Sequence, residues 1–170
     1  MNWPAPRRLP WLLLISAAVF AADRLAKAWV VAHIPMGGAI PVIDHVLRIS
    51  HWTNEGAAFS MFAGSASPHL VNRVLTGVNF CVASGVLFAL IRFGHRIGLM
   101  TIALALILGG AAGNVHDRLA YGAVIDFIEV HIFAYHFPDF NVADSAIFSG
   151  ACLLFFDSLR PQRKTASRAQ

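Results

Sequence analysis

Two stretches without a single Asp, Glu, Lys or Arg, residues 74–91 and residues 97–115, stand almost back to back, separated only by Arg92, Phe93, Gly94, His95 and Arg96. The hydrocarbon core of a bilayer takes about 20 predominantly apolar residues as a helix, and within it every backbone N–H and C=O must find a partner inside the chain. Two such runs joined by a short basic turn predict a helical hairpin across a membrane. Composition agrees, with 57% of the 170 residues apolar and 13% charged, whereas soluble domains carry about 25% charged residues. A large extramembrane domain is excluded, and no repeat or Pro/Gly/Ser linker divides the chain. Residues 1–170 are therefore expected to form a single integral membrane domain.

Two further spans complete the expected fold. The apolar run from Trp11 to Ala22, behind Arg7 and Arg8, has the length and flank of a cleavable leader, yet its pattern continues to Val31 with no helix breaker before Pro35. Residues 10–32 are read as a retained spanning helix. A fourth is expected over residues 141–159, with Asp144 in its first turn and Asn141 suited to cap it. The expected class is an all-α membrane protein of four transmembrane helices. Arg7, Arg8, Arg92, Arg96, Arg160, Arg163, Lys164 and Arg168, eight of the 13 basic residues, fall on one side, which the positive-inside rule makes cytoplasmic. Both termini are then inside, and the connections over residues 33–73 and 117–140 are outside.

Those connections are not simple tethers. Val42-Ile43, Val46 to Trp52 and Ala57 to Phe62 are short β-branched or apolar segments around Asn54-Glu55-Gly56, which reads as a turn. A small hairpin or sheet on the membrane surface is expected there, whereas Phe127 to Phe137 reads as an aromatic interfacial stretch. The basic residues form no aromatic-interleaved patch, so nucleic acid is not an expected partner. Cys81 and Cys152 lie singly in apolar runs and make neither a disulfide framework nor a CxxC site.

An ionisable side chain at membrane depth costs at least about 2.5–3.5 kcal/mol on insertion scales, so its presence points to a pathway or a reaction. Asp23 and Lys27 are four apart, acid before base, the favourable helical order; they suit a self-neutralising structural pair or a site. Asn114 and Arg118 are also four apart where the third helix is expected to end, and an Arg fork suits a carboxylate or peptide carbonyl. Asp126 lies between β-branched and aromatic residues, and Asp144 is again apolar-flanked at a helix start. Two carboxylates held close share a proton, and one protonated and one ionised acid is what hydrolysis by an activated water requires. The dipole at a helix start favours ionised Asp144, and desolvation in an apolar loop favours neutral Asp126. The rival from another class is a proton relay through Asp23, Asp126 and Asp144 in a small transporter, although these acids cluster at one membrane face. No HExxH occurs, and Glu129-Val130-His131 with His136 has neither zinc-protease spacing nor an obvious third ligand, so these histidines are read as surface aromatics. No metal or other cofactor is expected.

The acid-bearing segments also carry a resemblance. Asp23-Arg24-Leu25-Ala26-Lys27, Asn54-Glu55-Gly56-Ala57-Ala58-Phe59-Ser60, Gly109 to Arg118, Val124-Ile125-Asp126-Phe127 and Phe140-Asn141-Val142-Ala143-Asp144-Ser145 closely resemble, in order and spacing, the bacterial lipoprotein signal peptidases (signal peptidase II), aspartic proteases of the cytoplasmic membrane. Glu55, often a hydroxyl residue in the family, and His116, often aromatic, depart from it only at variable positions. The resemblance implies that Asp126 and Asp144 are the catalytic dyad, with Asp23, Lys27, Asn54, Gly56, Asn114, Arg118, Asn141 and Ala143 shaping the site or holding substrate. It also implies a small extracytoplasmic β-cradle, a mobile flap and no metal. The implied substrates are prolipoproteins carrying a diacylglyceryl-cysteine, met within membrane lipid and cut just before that cysteine, and the implied inhibitors are globomycin-type peptides.

Overall fold

In the computed structural model, which describes residues 7–55, 68–133 and 135–160, each uncharged run forms the helix its composition demands. In chain order, α1 spans Leu9–His33, β1 Ala39–Ile43, β2 Leu47–Asn54, α2 Pro68–Phe93, α3 Leu99–Tyr121, β3 Val124–Ile132, β4 Tyr135–Phe140 and α4 Val142–Ser158. Three helices, over Leu9–His33, Leu70–Phe93 and Leu99–Tyr121, are long and apolar enough to cross a membrane. The fourth, α4, has 17 residues, about 26 Å at 1.5 Å per residue. Outward-facing Phe80, Phe88 and Phe148 are 62, 70 and 71% exposed, as suits surfaces whose solvent is hydrocarbon.

The central helix is α3, which packs against α1, α2 and α4. Small residues set how closely the helices approach, as expected where lipid supplies no hydrophobic drive for association. A Cβ on Gly110 would lie 2.4 Å from the Ala143 carbonyl oxygen of α4, and one on Gly109 would lie 2.5 Å from the Ser16 carbonyl oxygen of α1. Ser16 Oγ donates across the same interface to the Ala105 carbonyl at 2.8 Å.

Two expected boundaries are corrected. The second helix begins at Pro68 rather than at residue 74, a position where proline's missing N–H costs nothing. The third runs on to Tyr121 instead of ending at residue 115, so that Asp117 and Arg118 are helical and buried. It stops at Gly122, whose φ of 76° is the left-handed C-cap conformation, and β3 starts two residues later.

The segments between the helices form one antiparallel sheet in the order β1-β2-β3-β4. The sheet is larger than the sequence suggests. Phe127 to Phe137 belongs to the β3–β4 pair rather than to an irregular interfacial stretch, and Asp126 sits on a strand, not in a loop. The β2–β3 register sets Trp52 opposite Asp126 and Asn54 opposite Val124. Asn54 ends β2 rather than opening a turn, while Gly56 and the Ala57 to Phe62 segment lie outside the described residues, as does the expected flap.

Candidate active site

The site is assembled from the foot of the sheet and the neighbouring ends of α1, α3 and α4. Its base is an ion cluster between α1 and α3. Lys27 Nζ lies 2.8 Å from Asp23 Oδ2 and 2.6 Å from Asp117 Oδ2, with all three side chains 0% exposed, and Arg24 pairs with Asp117 from the rim. Two cations thus meet two anions, as burial in a low-dielectric region requires.

Each acid of the cluster also holds a backbone N–H beside one of the two candidate acids. Asp23 Oδ1 accepts from the Ala143 N–H at 3.0 Å, one residue before Asp144. Asp117 Oδ2 accepts from the Ile125 N–H at 3.3 Å, one residue before Asp126. A Cβ at Gly113 would come within 2.7 Å of Asp23 Oδ2, so glycine there gives the carboxylate its room.

Three asparagines connect the base to the acids. The Asp144 N–H donates to Asn141 Oδ1 at 2.9 Å and the Asn141 N–H donates back to Asp144 Oδ2 at 3.2 Å, a reciprocal N-terminal cap. Because Asn141 Oδ1 faces that N–H, its amide NH₂ points the other way, donating to Asp126 Oδ1 at 2.8 Å and lying 3.2 Å from the Ile125 carbonyl. Asn141 therefore reaches both acids, the Asp126 carboxyl through its side-chain NH₂ and the Asp144 carboxyl through its backbone N–H. Asn114 Nδ2 donates to Asp144 Oδ1 at 2.8 Å, and Lys27 Nζ, 3.3 Å from Asn114 Oδ1, fixes which way that amide faces. Asn54 Nδ2 donates to Asp126 Oδ2 at 3.1 Å.

Burial, and secondly the charge of Asp144, push the Asp126 carboxyl up to about 7, against the pull of the Asn54 and Asn141 hydrogen bonds and of Lys27. A carboxyl poised there can hold or release a proton near neutrality. Arg118 is buried within electrostatic reach of Asp126 and Asp144, and its Nη1 donates to Asn72 Oδ1 of α2 at 3.3 Å.

Of the residues singled out from sequence, Asp23, Lys27, Asn54, Asn114, Arg118, Asn141 and Ala143 gather around Asp126 and Asp144, while Gly56 lies outside the described residues. Sequence reasoning passed over Arg24, Asp117 and Asn72. An acid inside an apolar helix was the available signal for Asp117, but it read as a helix end. Asn72 carried no signal. Among the described residues, the group with metal-ligand spacing is Glu129, His131 and His136, which does not include the two candidate acids.

Apolar helices carrying buried carboxylates beneath a small sheet define an integral membrane protein whose reactive groups are acids. Residues 15–160 match the family model described as signal peptidase (SPase) II, and the chain belongs to that family of membrane aspartic proteases. It is 42% identical to the lipoprotein signal peptidase of Bacillus velezensis over 146 residues, 86% of this chain and 92% of that one. It is 36% identical to that of Yersinia enterocolitica over 159 residues, covering 93% and 92% of the two chains. Two solved structures, each described as a bacterial membrane enzyme determined by the in meso method, share the fold. One has a TM-score of 0.80 at 27% identity, covering 95% of this chain and 94% of that one. The other has a TM-score of 0.70 at 31% identity, covering 89% and 94%.

Proposed function

We propose that this protease removes the signal peptide of diacylglyceryl-modified prolipoproteins, cutting just before the lipidated cysteine, with Asp126 and Asp144 as its catalytic dyad. The observation that carries the reading is Asn141, whose backbone N–H donates to the Asp144 carboxyl and whose side-chain NH₂ donates to the Asp126 carboxyl, so that one buried residue joins the two. Asp144, receiving donors on both oxygens, acts as the ionised base that takes a proton from water as the water adds to the scissile carbonyl. Asp126, the protonated partner, gives its proton to the developing oxyanion and recovers it as the intermediate collapses, while Asp144 passes the proton taken from water to the departing amine as the C–N bond breaks. Asn54, Asn114 and Asn141 orient the dyad. Asp23 and Lys27 hold the backbone beneath it through Ala143, and Arg118 serves the substrate side. Gly56 and the segment after it belong to a mobile flap in this scheme, and a globomycin-type peptide acts by occupying the dyad.

In the same reading α4 is the fourth transmembrane helix of a single integral domain, the termini are cytoplasmic and the dyad lies near the extracytoplasmic face. Its length falls within the about 17–25 residues that span a bilayer. Reporter fusions after Gly94 and at the C-terminus are expected to report cytoplasm, and one at Asp44, between β1 and β2, the opposite side. A cytoplasmic signal at Asp44 removes this topology.

Substrate selection follows from a site at the membrane surface. Each buried CH₂ contributes about 0.8 kcal/mol, so two acyl chains hold the scissile bond at the dyad's depth. The purified protein is expected to cleave a diacylglyceryl lipobox peptide far faster than the matched unmodified peptide. Equal turnover of the two at the same membrane concentration overturns lipid-dependent recognition.

A further inference from the structure

The β3–β4 hairpin carries a second group of reactive side chains. His131 and His136 are directly paired across the two strands, and their rings stack at 4.6 Å between centroids with 5° between planes. Glu129 is two residues before His131 on β3, so alternation along the strand puts both side chains on one face. Glu129 Oε1 lies 2.7 Å from His131 Nε2 and 3.8 Å from His136 Nε2. The three ligand atoms lie within 4.8 Å of one another. Asp139 Oδ1, 3.3 Å from His136 Nε2, adds a fourth ligand atom at the edge. Cross-strand register brings together three side chains whose linear spacing gave no zinc-protease pattern.

We propose that Glu129, His131 and His136 bind a divalent transition-metal ion of the zinc class on this hairpin, separate from the aspartate pair. Zinc takes His nitrogen at about 2.0–2.1 Å and carboxylate oxygen at about 2.0–2.2 Å in tetrahedral arrangement, which puts ligand atoms roughly 3.3–3.5 Å apart. The Glu129 distances of 2.7 and 3.8 Å bracket that spacing. The anchor is the side chain that cannot move: Glu129 is 8% exposed, while His131 and His136 are 29 and 53% exposed and free to close on an ion. Arg48 Nη1, 3.4 Å from Glu129 Oε1, competes for the same oxygen, but its side chain is 43% exposed and can turn to solvent. Asp139 or water completes the coordination.

The test uses the full chain in detergent, purified without a histidine tag and stripped with chelator. Zinc is titrated against a chromogenic indicator, and cobalt absorption reports the ligand set. The parent is expected to bind one equivalent of zinc at this site. His131→Ala and His136→Ala should each weaken binding beyond the about 10–100-fold that loss of an outer-shell partner typically costs. Glu129→Gln, which keeps the buried side chain's shape, should do the same, while His33→Ala, an exposed histidine on α1, should change nothing. Thermal melting without metal checks that each variant is folded; the two histidines are exposed enough to be replaced without loss of packing. Absence of stoichiometric binding in the parent, or full affinity in the His131→Ala/His136→Ala double variant, overturns the proposal.

Discussion

Asp126→Asn and Asp144→Asn are each expected to stay folded and membrane-inserted while losing at least the about 10²–10⁴-fold that positioned acid–base catalysis supplies. Asparagine keeps the size of the side chain and a share of the hydrogen bonds to Asn141, Asn114 and Asn54, but it cannot pass a proton. In the proposed mechanism the two acids act as one unit, so the double variant should be little worse than either single one. Turnover of a diacylglyceryl lipobox peptide in the presence of a chelator is the measurement. Near-parental rates in either variant, or loss of the parent's activity on chelation, sink the aspartate mechanism. A pH profile adds a sign. Asp126 must carry a proton to serve as the acid, and burial places that proton at about 7, so kcat/KM should fall as pH rises through about 7. The fold favours the neutral form of Asp126, so between the ordinary aspartate value of about 4 and about 7 its ionisation lowers stability as pH rises. Asp126→Asn removes that cost and should melt no lower than the parent at pH 8.

Lys27→Ala is expected to cause the largest loss of stability among substitutions at the site, about 3–5 kcal/mol, the cost of removing one partner from a buried ion pair. Lys27, Asp23 and Asp117 are all fully buried, and Arg24 alone cannot balance two carboxylates. The loss is transmitted: Asp23 ties down the Ala143 N–H and Asp117 the Ile125 N–H, so the backbone before each candidate acid loosens with the cluster. Thermal unfolding in detergent measures the effect. Restoring the charge balance in Lys27→Ala/Asp23→Asn should recover part of the stability, because residues in one network do not contribute additively. A Lys27→Ala protein that melts with the parent, or a double variant whose losses simply add, overturns this account.

The helices were legible because a bilayer makes composition decisive: a run such as residues 97–115 has no stable alternative to a helix when its backbone groups have no water to turn to. Asp126 and Asp144 stood out as candidates for the same reason, since charge among apolar neighbours is costly. The end of α3 was not. Asp117 and Arg118 look like a helix stop, yet Asp117 is neutralised by Arg24 and Lys27 of α1, Arg24 being 93 positions away in the chain, and the helix continues past both residues.

The same limit hid Asn72 against Arg118, the strand that carries Asp126, and the convergence of Glu129 with His131 and His136. Each depends on which residue stands opposite which across a helix interface or a strand pair. By itself the sequence determined which segments are apolar enough to enter a membrane and which acids are costly where they stand, because transfer free energies act on each residue by itself. Only the tertiary structure decided which charges cancel, which asparagine reaches both acids and which imidazoles meet a carboxylate. Those energies depend on separations of 3–4 Å between groups far apart in the chain, and folding alone sets such distances.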